Sequence, residues 1–281
     1  MTAAPPKRMR PRWLRYSLRT LLLALTVASI ALGVWVNRAE RQRRAVAAIE
    51  AAGGFVTYDF ERRGDDAPSP RWLNRFLHVD YLAEPSDVSF SENCTDADLA
   101  HVGNMTSLRT LHLSDTKVTD AGLMHLRGLT NLQEFVLSDT AVGDEGLRHL
   151  SQLTQLEELD LTRTQVTDDG LRHLSPLHHL IVLALGYTRV GDQGLAHLSA
   201  LARLRFLELT ETWVSDAGLP HLVGLKELSG LDLHTTAVSD DGIATLSELT
   251  RLDFIGLAGT EVSEKGFERL IEALPKCDVI R

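Results

Sequence analysis

The residues best suited to chemistry in this 281-residue chain are histidines, and they are regularly spaced. His101, His125, His149, His173, His197 and His221 follow one another at intervals of 24, in settings such as GDEGLRHL and TDDGLRHLSPL. Convergent imidazoles bind zinc, and grouped imidazoles titrate near neutrality. A zinc site needs three or four ligands around one ion, whereas a column with one imidazole per step of about 5 Å brings two together at most. In GLRHLSPL the histidine follows one leucine by two and precedes another by one, which turns it toward the outer edge of a helix. Thr245 and Arg269 stand at the same place in later copies, and a core position does not accept arginine. The column therefore reads as solvated residues inherited with a repeat. If neighbouring rings repelled on protonation, their pKa values would be lowered and the face carrying them would soften in acid.

A second series, Asp120, Asp144, Asp168, Asp192, Asp216 and Asp240, invites a calcium reading. Capping of helix starts explains it more simply, since no copy has the dense oxygen spacing of a calcium loop. Arg63-Gly64-Asp65 and the two Asn-x-Thr triplets at Asn93 and Asn104 read as chance matches in polar segments. Cys94 and Cys277 lie at opposite ends of the repeats. Seven to eight steps of about 4.8 Å separate them, too far for a disulfide. No phosphate loop, nucleophile elbow or Cys/His ligand cluster occurs, so neither catalysis, a metal, a cofactor nor a small-molecule substrate is expected.

The repeat itself positions these residues. Leucine recurs at 108, 132, 156, 180, 204, 228 and 252, Thr at 116 and each 24th residue to 260, and Gly at 122 and each 24th residue to 266. Each unit reads LxxLxLxxTxV[TSG][DE]xG[LIF]xxLxxL, with Phe135 and Ile255 at the second apolar place and Ala273 at the last. In LRTLHLSDT the apolar residues alternate as in a short strand with one buried face. In TDAGLMHLRGL they recur at helical spacing, over about two turns. Neither element can bury its apolar face alone, so the units must stack into a parallel sheet on one side and helices on the other. Each Thr hydroxyl is expected to bond backbone of its own or the neighbouring turn, forming a ladder. Each Gly in the first helical turn implies a close approach between coils.

This pattern resembles the leucine-rich repeat, in the short bacterial form with Thr at the ladder position where Asn is usual. The match covers about residues 99–274. With a basic start, one apolar span and an amphipathic linker, the chain is similar to membrane-anchored leucine-rich-repeat proteins of some bacteria. The resemblance implies an α/β solenoid, parallel sheet concave and short helices convex, that binds other proteins and carries no catalytic residue.

Charge separates the chain into two parts. Residues 1–44 hold ten Lys/Arg against one Glu, a net +9, so the remainder carries −18 to reach the overall −9. An acidic body argues against binding to nucleic-acid backbone. Residues 20–37 are uncharged and reach about 27 Å as a helix, close to a hydrocarbon core of about 30 Å. They read as a transmembrane anchor. A signal peptide cleaved near Ala31-Leu32-Gly33 is the main alternative, and a buried soluble helix a weaker one. Six basic residues before the span and four after it favour a cytoplasmic N-terminus and an extracytoplasmic repeat domain in a single-pass protein.

The expected organisation is a basic tail at 1–19, the anchor at 20–37, a helical linker and cap at 38–83, and the repeat domain at 84–281. Within the cap, residues 55–60 read as a strand, 61–70 as an exposed loop and 71–82 as a capping helix. Residues 84–107 form a degenerate first unit, one residue short, and Val279 closes the other end one period after Ile255. A protein partner is expected on the concave face, the alternative being a structural or adhesion protein of the cell envelope that self-associates or bridges to an envelope layer. The candidate contact residues are Tyr187, Arg189, Phe206, Glu208, Glu211 and Trp213, because exposed aromatics beside Arg dominate interfaces. The competing reading stacks Arg189 on Trp213 as an internal cation–π pair.

Overall fold

A computed structural model describes residues 18–62 and 83–281. The described residues open on one long helix, α1 (Leu18–Ala51). It ends where Gly53 takes a left-handed conformation (φ 79°), Gly54 N–H reaching back to the Ile49 carbonyl and Gly53 N–H to that of Glu50. This is the Schellman closure that a glycine pair permits. Strand β1 (Phe55–Tyr58) follows and gives way at Asp59 to one helical turn, α2 (Asp59–Arg62), so the strand is shorter than the 55–60 expected. The tripeptide at 63–65, most of the expected loop and the expected capping helix at 71–82 lie outside the described residues.

From β2 (Pro85–Ser89) onward the chain winds as a solenoid. Strands β3 (Thr110–His112), β4 (Glu134–Val136), β5 (Glu158–Asp160), β6 (Val182–Ala184), β7 (Phe206–Glu208), β8 (Gly230–Asp232), β9 (Phe254–Gly256) and β10 (Asp278–Ile280) each pair in parallel with their predecessor. β1 covers the first edge by pairing antiparallel with β2. Register is fixed by the repeat: Leu111 faces Phe135, then Leu159, Leu183, Leu207, Leu231, Ile255 and Val279 in turn. Val88 faces Leu111 across a step of 23 rather than 24, the shortened first unit.

The opposite wall is built from α3 (Asp96–Val102), α4 (Asp120–Leu123), α5 (Asp144–Leu150), α6 (Asp168–Leu171), α7 (Asp192–Leu195), α8 (Ile243–Leu246) and α9 (Glu264–Ala273). Several are single α turns that tighten into 3₁₀ turns, as at Met124–Gly128 and Ala196–Ala200. The coil at Leu219–Leu222 is 3₁₀ alone, with Pro220 in its first turn. The walls are thus more tightly wound than two regular α turns. Between them Leu108, Leu111, Leu113, Val118, Leu123, Leu126 and Leu129, with their counterparts in later coils, form one continuous dry core.

Two recurring positions of the repeat have defined tasks. Every Thr of the series donates its hydroxyl proton to the carbonyl three residues earlier, as in Thr116 to Leu113 at 2.7 Å and Thr164 to Leu161 at 2.6 Å. The expected threonine bonds are therefore made within each turn. Beside these threonines the links from coil to coil are backbone, such as Gln165 N–H to Val142 O at 2.8 Å.

The aspartates do link coils. Asp96 accepts the Thr119 amide at 2.8 Å and its hydroxyl at 2.7 Å, 23 residues ahead. Asp144 does the same with Thr167, Asp192 with Ser215, Asp216 with Ser239 and Asp240 with Ser263. Where Gly occupies the receiving place, at Gly143 and Gly191, only the amide is held, at 2.6 Å. Helix capping was the expected role of this series; the carboxylates instead tie each helix start to the next coil. In the last unit Glu264 replaces Asp and pairs with Arg281 at 2.7 Å.

Candidate functional site

A β-strand of three residues exposes its first and third side chains on one face, so the outer face of the sheet is a grid of alternate residues from β3 to β9. Its first part is polar and acidic. His112 Nε2 lies 2.8 Å from Glu134 Oε1, and Glu134 stands in register beside Glu158. Burial, then Glu134 and Asp160, push the Glu158 carboxyl above its ordinary value, with His112 opposing them.

Beyond Val182 and Ala184 the surface turns aromatic. Phe206 and Phe254 stack at 6.5 Å between ring centroids, with their planes 27° apart, although a strand lies between them. Gly230 of that strand makes this possible: a Cβ there would fall 2.5 Å from the Phe206 ring. Glu208 is occupied by its own scaffold, accepting the Gly186 amide at 2.9 Å and the Thr210 amide at 3.1 Å. Asp232 pairs with the His234 ring in the next row.

The rim beside the strands follows a rule that residue types do not reveal. Asp115, Asp139, Arg163, Tyr187, Glu211 and Thr235, 24 residues apart, all adopt left-handed backbone with φ between 53° and 58°; Gly259 continues the row at 73°. Their amides are held by the next coil, Tyr187 N–H by Thr210 O at 2.8 Å and Glu211 N–H by His234 O at 2.9 Å. That regular pairing offsets the roughly 1–3 kcal/mol cost of such a conformation in a non-glycine residue.

The candidate residues therefore fall on three rows. Phe206 and Glu208 lie on β7, Tyr187 and Glu211 on the left-handed rim, and Arg189 and Trp213 on the extended row beyond it, where single bridges join Arg189 to Thr167 and Trp213 to Gly191. Trp213 is 69% exposed and Tyr187 42%. The cation–π contact in this region is Arg163 over Tyr187, at 4.4 Å, and the same guanidinium lies 3.7 Å from Asp139. Arg189 and Trp213 form no such stack, so the internal pairing weighed for them falls to a residue pair one row over. Arg163 and Phe254 were the contributors missed, and the strand glycine at 230 was the available signal for the second.

Of the histidine column, His101, His125, His197 and His221 are exposed and His149 and His173 half-buried. Arg127 donates from Nε to His149 Nδ1 at 3.0 Å. Burial, then Arg127 and Arg148, lower the His149 pKa; no other histidine is among the causes, so mutual repulsion along the column is not the source. Cys94 is fully buried, and burial first, then Asp98 and Asp96, raise its thiol to about 12. Cys277 at the other end is also a free thiol. Among the described residues no group of His, Cys, Asp and Glu is arranged to hold a metal ion, and no Ser, Thr or Cys is hydrogen-bonded to a histidine ring. The surface can bind by shape, charge and aromatic contact.

A family model described as Leucine Rich repeat matches residues 104–126, 128–151 and 152–175. No curated protein matches the chain. Among solved structures, internalin C2 from Listeria monocytogenes is similar at 26% identity, over 68% of this chain and 78% of that one, with a TM-score of 0.53. A second internalin of that organism (inlF) aligns at 21% identity over 64% and 69% of the two chains, TM-score 0.39. The ectodomain of a plant membrane receptor kinase from Arabidopsis thaliana aligns at 17% identity over 64% of this chain and 22% of that one, TM-score 0.46. The matched units continue in unbroken 24-residue register through β9, and the repeat region of this chain is a leucine-rich-repeat solenoid.

Proposed function

We propose that this chain is a membrane-tethered, non-enzymatic scaffold that presents its sheet and rim to another protein. The observation that carries the reading is the division of α1. Its apolar half is bare: Leu23, Val27, Ile30 and Val34 are each about 60–70% exposed, and the most apolar window has no buried residue. Its second half buries Ala45, Val46 and Ile49 against the first coils. An apolar helical half left uncovered by the described residues suits a lipid surround, and the unbroken helix would carry that placement to the solenoid. The basic flanks favour a cytoplasmic N-terminus with the repeats outside.

The contact surface is Tyr187, Arg189, Glu211 and Trp213 along the rim with Phe206 beside them on the sheet. Glu208 serves as their support, since its carboxylate already holds two amides. A photo-crosslinking residue at Glu211 of the full chain, activated in native membranes, tests the reading. Its adduct is expected to contain a different polypeptide and to disappear with Trp213→Ala. An adduct made only of two copies of the chain would favour a self-associating envelope protein instead, and no adduct would count against both.

A further inference from the structure

The place where α1 passes from its bare half to its docked half carries a site of its own. Arg38, Arg41 and Arg44 follow Asn37, the last residue of the uncharged run, within about 10.5 Å of helix length at 1.5 Å per residue. Between them and the loop after α3 lies an open cavity of ≈ 290 Å³, its other wall formed by His101, Asn104 and Met105. Met105 and Ala45 are buried and give it an apolar floor.

The charges around it are unevenly matched. Arg38 is paired with Glu84 at 2.6 Å, and Arg44 with Glu40 at 3.3 Å. The Arg41 guanidinium has no carboxylate partner among the described residues and donates only to the Asn37 carbonyl of its own helix, at 3.4 Å. The Asn104 amide and the His101 ring, on the facing wall, likewise make no side-chain hydrogen bond among the described residues. One uncompensated fork of donors, an amide and an imidazole around an apolar floor suit a phosphate ester with an attached glycerol or acyl stem. Depth separates the two sources of such a group. Headgroup layers extend only about 5–7 Å beyond each side of the hydrocarbon core, which is the level, about 6 Å of helix past Asn37, at which an α1 span would hold Arg41.

We propose that this cavity binds the phosphate headgroup of an anionic phospholipid, with Arg41 meeting the phosphate and Asn104 and His101 completing its contacts. The proposal rests on α1 being a membrane span. Arg41 and Asn104 are both exposed, so their replacement should leave the fold intact; an unchanged melting temperature checks this. The full chain is placed in nanodiscs of phosphatidylcholine with or without phosphatidylglycerol, and the lipids it retains on transfer to detergent are counted by native mass spectrometry. Phosphatidylglycerol is expected to be retained over phosphatidylcholine, and Arg41→Gln with Asn104→Ala to reduce the preference about tenfold, the scale of one charge-assisted hydrogen bond. Arg41→Lys should keep part of it.

No preference in the native chain, or an equal preference in the double variant, overturns the proposal. So does a result in which inorganic phosphate, added to pure phosphatidylcholine discs, slows amide exchange at 103–107 as much as phosphatidylglycerol does, because the ligand is then a soluble anion. Alkaline carbonate extraction separates this from the tether reading. Release of the chain from native membranes refutes both, whereas a chain that stays in the pellet without lipid preference refutes the cavity alone.

Discussion

Asp120 of one coil and Gly146 of the next are in such close apposition that a Cβ on the glycine would lie 2.5 Å from the aspartate Oδ1. The same oxygen accepts the Gly143 amide at 2.6 Å. The two requirements are one: a carboxylate reaches forward to tie down the next coil, and the helix start it enters has no room for a side chain. Gly122 with Asp96, Gly170 with Asp144, and Gly194 with Asp168 repeat the relationship at 2.3–2.4 Å.

Gly146→Ala is therefore expected to destabilise the full chain by about 1–3 kcal/mol, the usual range for overpacking, despite the better helix propensity of alanine. Asp120→Ala should cost a similar amount by leaving the Gly143 amide unsatisfied. The two should not add, because the first substitution already separates the groups the second would displace. Melting of both single variants and the double variant in detergent checks this; strict additivity would mean that the glycine is retained for another reason.

The solenoid was readable because its period is written into every unit, and even the shortened first step, Val88 to Leu111, appears as a one-residue slip near Asn93. What a single unit cannot encode is which coil a side chain serves. An aspartate at a helix start can cap its own turn or reach 23 residues on, and the residue pattern is the same either way. The rim was opaque for a different reason. Asp, Arg, Tyr, Glu and Thr share no chemistry that marks left-handed backbone, which there follows from the stacked amides rather than from residue type. The cation–π pair was misplaced for the same cause: Arg163 with Tyr187 and Arg189 with Trp213 are both 24 apart, and only the geometry of the rows distinguishes them.

Acid should loosen the repeat through His149. Its pKa lies below the ordinary 6.5 owing to burial, Arg127 and Arg148, so the unfolded chain takes up the proton first. Stability is full above about 6.5 and declines as pH falls from there through the folded value. Asp240 acts in a lower window. The Ser263 hydroxyl and amide hold its carboxylate below 3.8, so its contribution is present above that value and lost as pH falls through the folded one. His149→Gln is expected to shrink the fall in melting temperature between about pH 7.5 and about pH 5.5 and to leave the acid-limb loss from Asp240 unchanged. Arg127→Ala should move the His149 titration upward by NMR.

Glu158 has the opposite sign. Its raised pKa means that ionisation is disfavoured in the folded chain, so its contribution is lost as pH rises from the ordinary 4.5 through the folded value. Glu158→Gln should raise the melting temperature at neutral pH and not at pH values well below 4.5, where both states carry the proton. A melting temperature lower at neutral pH would show that the carboxylate is held by the sheet rather than disfavoured by burial and by Glu134 and Asp160.

The two aromatics at the centre of the proposed contact should separate stability from binding. Trp213 is 69% exposed, and its loss should leave stability within about 0.5 kcal/mol. As an interface anchor its removal should cost about 2 kcal/mol or more of binding, roughly a thirtyfold loss of affinity. Phe206 is different, since it stacks on Phe254 across Gly230; Phe206→Ala uncovers that strand and should lower both stability and capture. The discriminating measurement is the ratio of the two effects, taken by melting and by titration of the polypeptide recovered from the crosslink. If Trp213→Ala alters melting but not affinity, the rim is a structural edge, and the partner sits elsewhere on the sheet.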